Sequence, residues 1–138
     1  MEKFTDINGK EWSLKITVGT IKAVRDELKI DLTSMDTLKI LGEDICLLVD
    51  CLFVCCRDEA ERVGITDIMF GESMAGNAID SATDAFMDEL INFFPAQKGN
   101  LLRKTIAKTR LILAEETAKA EKRIENLSLE QLIDSQES

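Results

Sequence analysis

The sequence predicts a mainly α-helical protein in which an N-terminal β-hairpin packs on a bundle of about five helices, an α+β fold by strict count. Two observations support this class. Apolar and polar residues alternate along the start of the chain, and later segments repeat their apolar residues at helical spacing. With 138 residues, of which 45% are apolar, the chain is long enough to bury a core. We therefore expect one globular domain over residues 1–125.

The hairpin is expected over residues 3–18. A two-residue Asn-Gly turn would place Phe4 opposite Ser13, whereas a three-residue loop ending in a left-handed Gly9 places Phe4 opposite Trp12. We favour the second register because it puts both aromatic rings on one face. That face should also hold the apolar residues that alternate along the second strand, Leu14, Ile16 and Val18.

Five helices are expected to follow, at about residues 19–29, 34–41, 43–63, 77–94 and 100–125. Residues 126–138 should form a C-terminal tail that is either a short helix or frayed. The first half of the third helix is apolar almost all round, which predicts a central, buried helix. Cap or stop residues lie near the predicted helix ends: Thr17 or Thr20, Gly42, Gly64, Pro95 and Asn100.

The charge of the chain is acidic and uneven. The net charge is −9, which argues against nonspecific binding to nucleic acid. Residues 1–99 carry the acidic excess, residues 100–125 have a balance of +3, and residues 126–138 carry three acids. The longest apolar stretch, residues 45–56, is too short for a membrane span of about 20 residues. With no secretory signal visible at the N-terminus, we expect a cytoplasmic protein without membrane contact.

The residue types favour a protein that binds other proteins over an enzyme. The chain has no His, and its four cysteines lie within eleven positions of one predicted helix. Their spacing suits neither a zinc site nor an easy disulfide, so we expect reduced thiols in the core. We predict no catalytic residues, no metal and no cofactor. The cysteines are Cys46, Cys51, Cys55 and Cys56.

Several apolar residues are candidates for contact with a partner. A helix cannot bury two adjacent phenylalanines in the same direction, so one ring at the corner formed by Phe93, Phe94 and Pro95 is a candidate anchor. The final helix is expected to project from the body beyond Glu116, where its apolar stripe fades. The predicted partner-binding residues are Phe70, Met74, Phe93, Phe94, Leu111 and Ile112.

The order of motifs resembles a family of small proteins from the tail gene clusters of bacteriophages and prophages. The chain opens, from residue 4, with Phe-x-Asp-x-x-Gly-Lys-x-Trp-x-Leu-x-Ile-Thr-Val. Later it contains Gly-Ile-Thr-Asp-x-x-Phe-Gly-Glu from residue 64 and Phe-Phe-Pro from residue 93. These segments, within residues 4–110, are similar to the tail assembly chaperones of long-tailed phages.

The resemblance implies a function without catalysis. Chaperones of this family bind the tape measure protein, a very long helical protein, and keep it soluble until tail tube subunits polymerise around it. The implied partners are the tape measure protein, the tail tube protein and further copies of the chain, in the cytoplasm of the bacterial host. Two alternatives remain: a structural tail or connector subunit of the virion, and a bacterial adaptor that binds a helical partner.

Overall fold

The computed structural model describes residues 2–137, with side chains described for residues 2–127. These residues form two strands and six helices, which confirms the mainly α class with an N-terminal hairpin. The chain divides into two compact units after Pro95, and each is described by itself. The first unit holds β1 (Glu2–Thr5), β2 (Glu11–Leu14), α1 (Val18–Leu28), α2 (Met35–Glu43), α3 (Ile45–Val63), α4 (Asp67–Glu72) and α5 (Asn77–Phe93), and the second is α6 (Ala96–Glu137).

The hairpin has the predicted register. β1 and β2 are antiparallel with Phe4 opposite Trp12, and Gly9 has a left-handed φ of 83°. The strands are shorter than the expected span of residues 3–18, because Thr17 already caps α1. Val18, predicted on the buried face, is therefore the first residue of a helix and is 58% exposed.

A buried aspartate organises the hairpin turn. Asp6 Oδ1 accepts hydrogen bonds from the backbone N–H groups of Asn8 and Lys10, at 2.9 and 3.0 Å. Its Oδ2 accepts one from the indole Nε1–H of Trp12 at 2.9 Å. Since Trp12 is fully buried, this bond satisfies a donor that water cannot reach. One carboxylate therefore joins the turn to the core.

The core of the first unit lies between the hairpin and the helices around it. β1 packs on α5, and β2 packs on α3. The ring of Phe70, on α4, meets Trp12 edge-on with centroids 5.0 Å apart and lies 5.5 Å from Phe53 of α3. Edge-to-face pairs of this kind add to the stabilisation that burial provides. The two-stranded sheet thus gains its stability from the helices, as a lone hairpin requires.

The helix boundaries confirm some predicted caps and correct others. Thr17 forms a capping box with Thr20 at the start of α1, and Gly64 ends α3 with a left-handed φ of 75°. The predicted stop at Gly42 is wrong, because α2 continues through Glu43. Asp44 ends α2 with its backbone N–H and begins α3 by accepting a hydrogen bond from Leu47 N at 3.0 Å. One residue therefore separates the two helices.

The structure confirms the predicted span of α5 and corrects that of α6. α5 matches the expected span of residues 77–94 to within one residue. α6 begins at Ala96 and continues to Glu137, so the predicted start at residue 100 is wrong and residues 126–137 continue the same helix, while residue 138 lies outside the described residues. No Gly or Pro occurs after Gly99, so nothing in the sequence interrupts the helix there. Within residues 2–137, no helix is both long and apolar enough to cross a bilayer.

Candidate partner-binding surface

Two predicted partner-binding residues lie in the core. Phe70 is fully buried and Met74 is 7% exposed. Phe70 contacts the rings of Trp12 and Phe53 from the inner side of the short helix α4. No partner can reach either side chain in this fold, so the structure removes both from the candidate surface.

The adjacent phenylalanines at the end of α5 pack on each other. Phe93 is the last residue of the helix, whereas Phe94 is its C-cap with an extended backbone. Their ring centroids are 5.4 Å apart with an interplanar angle of 69°. Both side chains are half-buried. This change of backbone direction lets both rings pack together, as two adjacent positions in one helix could not.

The two predicted residues on α6 are the most exposed members of the predicted set. Leu111 is 67% exposed and Ile112 is 48% exposed, and the next residue, Leu113, is 55% exposed. Successive residues of a helix point about 100° apart, so these three cover roughly 200° of the circumference. We call residues 111–113 the apolar segment. An apolar surface this wide on a helix is suited to protein–protein contact.

Basic side chains lie on the N-terminal side of the apolar segment in α6. Residues 96–114 carry five basic and no acidic side chains. Residues 115–125 carry four acidic and three basic ones. The apolar segment therefore lies at the boundary between a basic region and a mixed one. A partner helix that docks here would contact the apolar segment and would lie beside the basic side chains that precede it.

A second exposed apolar group, at the junction of α3 and α4, was missed in the sequence. Val63 is 53% exposed, Ile68 is 70% exposed and Met69 is 49% exposed. Residues 68–70 are three consecutive apolar residues in a six-residue helix, and Phe70 alone among them is buried. This run was a detectable signal, since a helix one and a half turns long cannot bury three neighbours on one side.

The cysteines divide into one accessible thiol and three buried ones. Cys46 is exposed, which corrects the expectation that all four lie in the core. The other three are buried along α3, as predicted. A hydrogen bond with Cys51 and then burial raise the pKa of Cys55, and burial raises the pKa of Cys56. Cys55 and Cys56 therefore stay protonated at neutral pH, and all three buried side chains pack as small apolar groups.

Polar contacts join the hairpin and α1 to α3. Glu59 Oε2 accepts a hydrogen bond from Ser13 N at 3.3 Å, and Lys10 Nζ lies 3.3 Å from Glu59 Oε1 and 4.6 Å from the Trp12 ring centroid. Arg57 donates two hydrogen bonds to Glu27, at 2.8 and 2.7 Å. Each of these contacts joins the hairpin or α1 to α3. Among the described residues, no three side chains of His, Cys, Asp or Glu are grouped as a metal site would need.

Comparison of the chain with protein-family models, curated protein sequences and solved structures finds no match. The assignment of a partner-binding surface therefore depends only on geometry, charge and exposure. On those grounds the apolar segment of α6 is the strongest candidate in the described part of the chain.

Proposed function

We propose that this chain is a tail assembly chaperone of a long-tailed bacteriophage or prophage. In this proposal it binds the tape measure protein and keeps it soluble in the cytoplasm of the bacterial host while the tail tube assembles. It makes and breaks no covalent bond. The observation that carries the proposal is the apolar segment of α6, where three consecutive apolar side chains are 48% to 67% exposed.

The apolar segment suits a long helical client. Before the tube forms, a tape measure helix exposes its own apolar stripe to water, and helices of this kind dock through apolar side chains spaced along one face. Leu111 and Ile112 offer such contact on a helix 42 residues long. At 1.5 Å per residue, α6 extends over about 63 Å, so one copy can lie along many turns of the client.

The charge of the first unit suits the other requirement, which is solubility. Residues 1–95 carry 19 acidic and 9 basic side chains, a balance of −10. When the apolar segment is covered by a client, this acidic unit gives the complex a charged exterior. Like-charged complexes repel one another, which opposes aggregation. The two units thus supply the two properties that a chaperone of an apolar helix needs.

The direct test is co-expression of the chain with the tape measure protein from the same gene cluster. We expect the tape measure protein to move into the soluble fraction and to copurify with the chain. The double variant L111E/I112E should lose both effects, because two carboxylates replace apolar contact. The control is I68E, since Ile68, at 70%, is about as exposed as Leu111, at 67%, and lies on α4 of the first unit.

Three results would contradict the proposal. The tape measure protein remains insoluble with the wild-type chain, or L111E/I112E protects it as well as wild type does, or the chain is a stoichiometric component of finished tails. The last result would instead support a structural tail subunit. Quantitative mass spectrometry of purified particles measures it directly.

A further inference from the structure

The charges of α6 are arranged against the dipole of the helix. The N-terminal end of a helix is effectively positive and its C-terminal end negative, so acids belong at the start and bases at the end. α6 has neither an acid in its first turn nor a base in its last. Residues 96–114 are purely basic in their charges, and residues 126–138 carry three acids and no base. A neighbouring molecule with acids beside the start of α6 and bases beside its end would offset this unfavourable arrangement.

The same helix carries an exposed apolar seam with coiled-coil spacing. The five residues of the seam follow each other at intervals of four, three, four and three, the a/d pattern that keeps one face toward a partner helix. All five are exposed, with Leu113 at 55%, Ile124 at 63% and Leu127 at 58%. The second and third positions, Thr117 and Ala120, are small, which permits close approach of a second backbone. The seam consists of Leu113, Thr117, Ala120, Ile124 and Leu127.

We propose that the seam binds the seam of a second copy of this chain in antiparallel orientation. Ala120 lies at the two-fold axis, and Leu113 of one copy faces Leu127 of the other. This interface is isologous, because each copy contributes the same surface. The proposal is independent of the identity of any client.

The argument for a second copy is the charge pattern of the helix itself. In the register centred on Ala120, residues 103–110 of one copy lie opposite residues 130–137 of the other. The first range carries four bases and no acid, and the second carries three acids and no base. The two helix dipoles also oppose each other in this arrangement. A parallel pair would instead place bases beside bases and acids beside acids.

The pairing leaves the other side of α6 open. Leu111 precedes Leu113 by two residues and therefore points about 200° away from it around the helix axis. A second copy on the seam does not cover Leu111. Leu113 belongs to both the apolar segment and the seam, whereas Leu111 and Ile124 each belong to one of them, so variants at Leu111 and at Ile124 test the two contacts separately.

The first experiment measures self-association of the purified full chain by sedimentation equilibrium, without any client. We expect a dimer whose dissociation constant rises between about 0.01 M and about 1 M salt, as the Debye length falls from about 30 Å to about 3 Å. Ile124→Lys places a charge in the seam and should raise the dissociation constant at least about tenfold. The control Leu111→Lys adds the same charge on the opposite face and should leave it unchanged.

The second experiment determines orientation by disulfide cross-linking in a Cys46→Ser background, which removes the exposed native thiol. Chains with Leu113→Cys and chains with Leu127→Cys should cross-link when mixed and not when alone. In the proposed register, two copies of residue 113 are separated by 14 helical residues, or about 21 Å, beyond the reach of a disulfide. Self-cross-linking of each variant, or a wild-type chain that is monomeric at every concentration, would overturn the proposal. Circular dichroism of each variant confirms that α6 is still helical.

Discussion

The buried carboxylate of Asp6 offers the sharpest test of how this fold is stabilised. Asp6→Ala removes the two oxygens that accept three hydrogen bonds, from Trp12 Nε1 at 2.9 Å and from the backbone amides of Asn8 and Lys10 at 2.9 and 3.0 Å. The consequences differ among the three donors. Water can solvate the turn amides, which lie in a part-buried region, whereas the indole N–H is fully buried.

The magnitude follows from this difference. A buried donor left without a partner costs about 1–3 kcal/mol, and an amide that water can reach costs about 0.5–1.5 kcal/mol. We therefore expect Asp6→Ala to lower the free energy of unfolding of the first unit by about 3–4 kcal/mol. In a Trp12→Phe background, where no indole N–H exists, the same substitution should cost only about 1–2 kcal/mol.

The assay is urea denaturation of the four chains of this double-mutant cycle, followed by far-ultraviolet circular dichroism. The coupling between Asp6 and Trp12 should be about 2 kcal/mol. An equal cost of Asp6→Ala in both backgrounds would refute the assignment of the buried indole bond as the larger contribution. Total loss below about 1 kcal/mol would refute the account of the turn as a whole.

Two further predictions concern ionisation. The hydrogen bond from Arg57 lowers the pKa of Glu27 below its ordinary value of 4.5. The pair therefore stabilises the fold above that value and loses its contribution as the pH falls through the lowered pKa. Because both side chains are partly exposed, Glu27→Gln should cost only about 0.5 kcal/mol at neutral pH, and urea titrations at falling pH should show this difference vanish in acid. For the thiols, Ellman's reagent at neutral pH should label Cys46 rapidly in the native chain and all four cysteines after unfolding, since burial raises the pKa of Cys56 and its buried neighbours are equally shielded. Rapid labelling of more than one native thiol would contradict the packing of α3.

The features that were predicted correctly are those on which two independent constraints agree. The register that pairs Phe4 with Trp12 satisfies both the turn residues and the alignment of aromatic rings. Gly64 ends α3 at a position where the chain needs a left-handed residue and the apolar pattern also stops. Agreement between a local preference and the burial pattern makes such boundaries readable from sequence.

The incorrect boundaries arise where local preferences compete. Gly42 is a good helix stop, but an exposed glycine inside a helix costs only about 1 kcal/mol, and Asp44 offers a cap two residues later. Asn100 can cap a helix, but the backbone is already helical from Ala96. A single sequence does not tell which of two adjacent caps the tertiary structure favours.

The candidate surface was only partly predictable, because the sequence does not show which side of α4 faces the core. Residues 68–70 are all apolar, and a helix as short as α4 has no periodicity from which its inward side can be identified. Tertiary packing buries Phe70 and leaves Ile68 and Met69 exposed. On α6, by contrast, both predicted residues are accessible, with Leu111 67% and Ile112 48% exposed.

The junction between α2 and α3 constrains how the length of this protein can vary. The backbone N–H of Asp44 bonds to the last turn of α2 and its side chain caps the first turn of α3, so the two helices share their only connecting residue. An inserted residue would separate the backbone N–H that ends α2 from the side chain that caps α3, because Asp44 now supplies both. The connection between α1 and α2 is longer, at residues 29–34, but Leu32 within it is fully buried, so an inserted residue there must leave Leu32 in its place in the core.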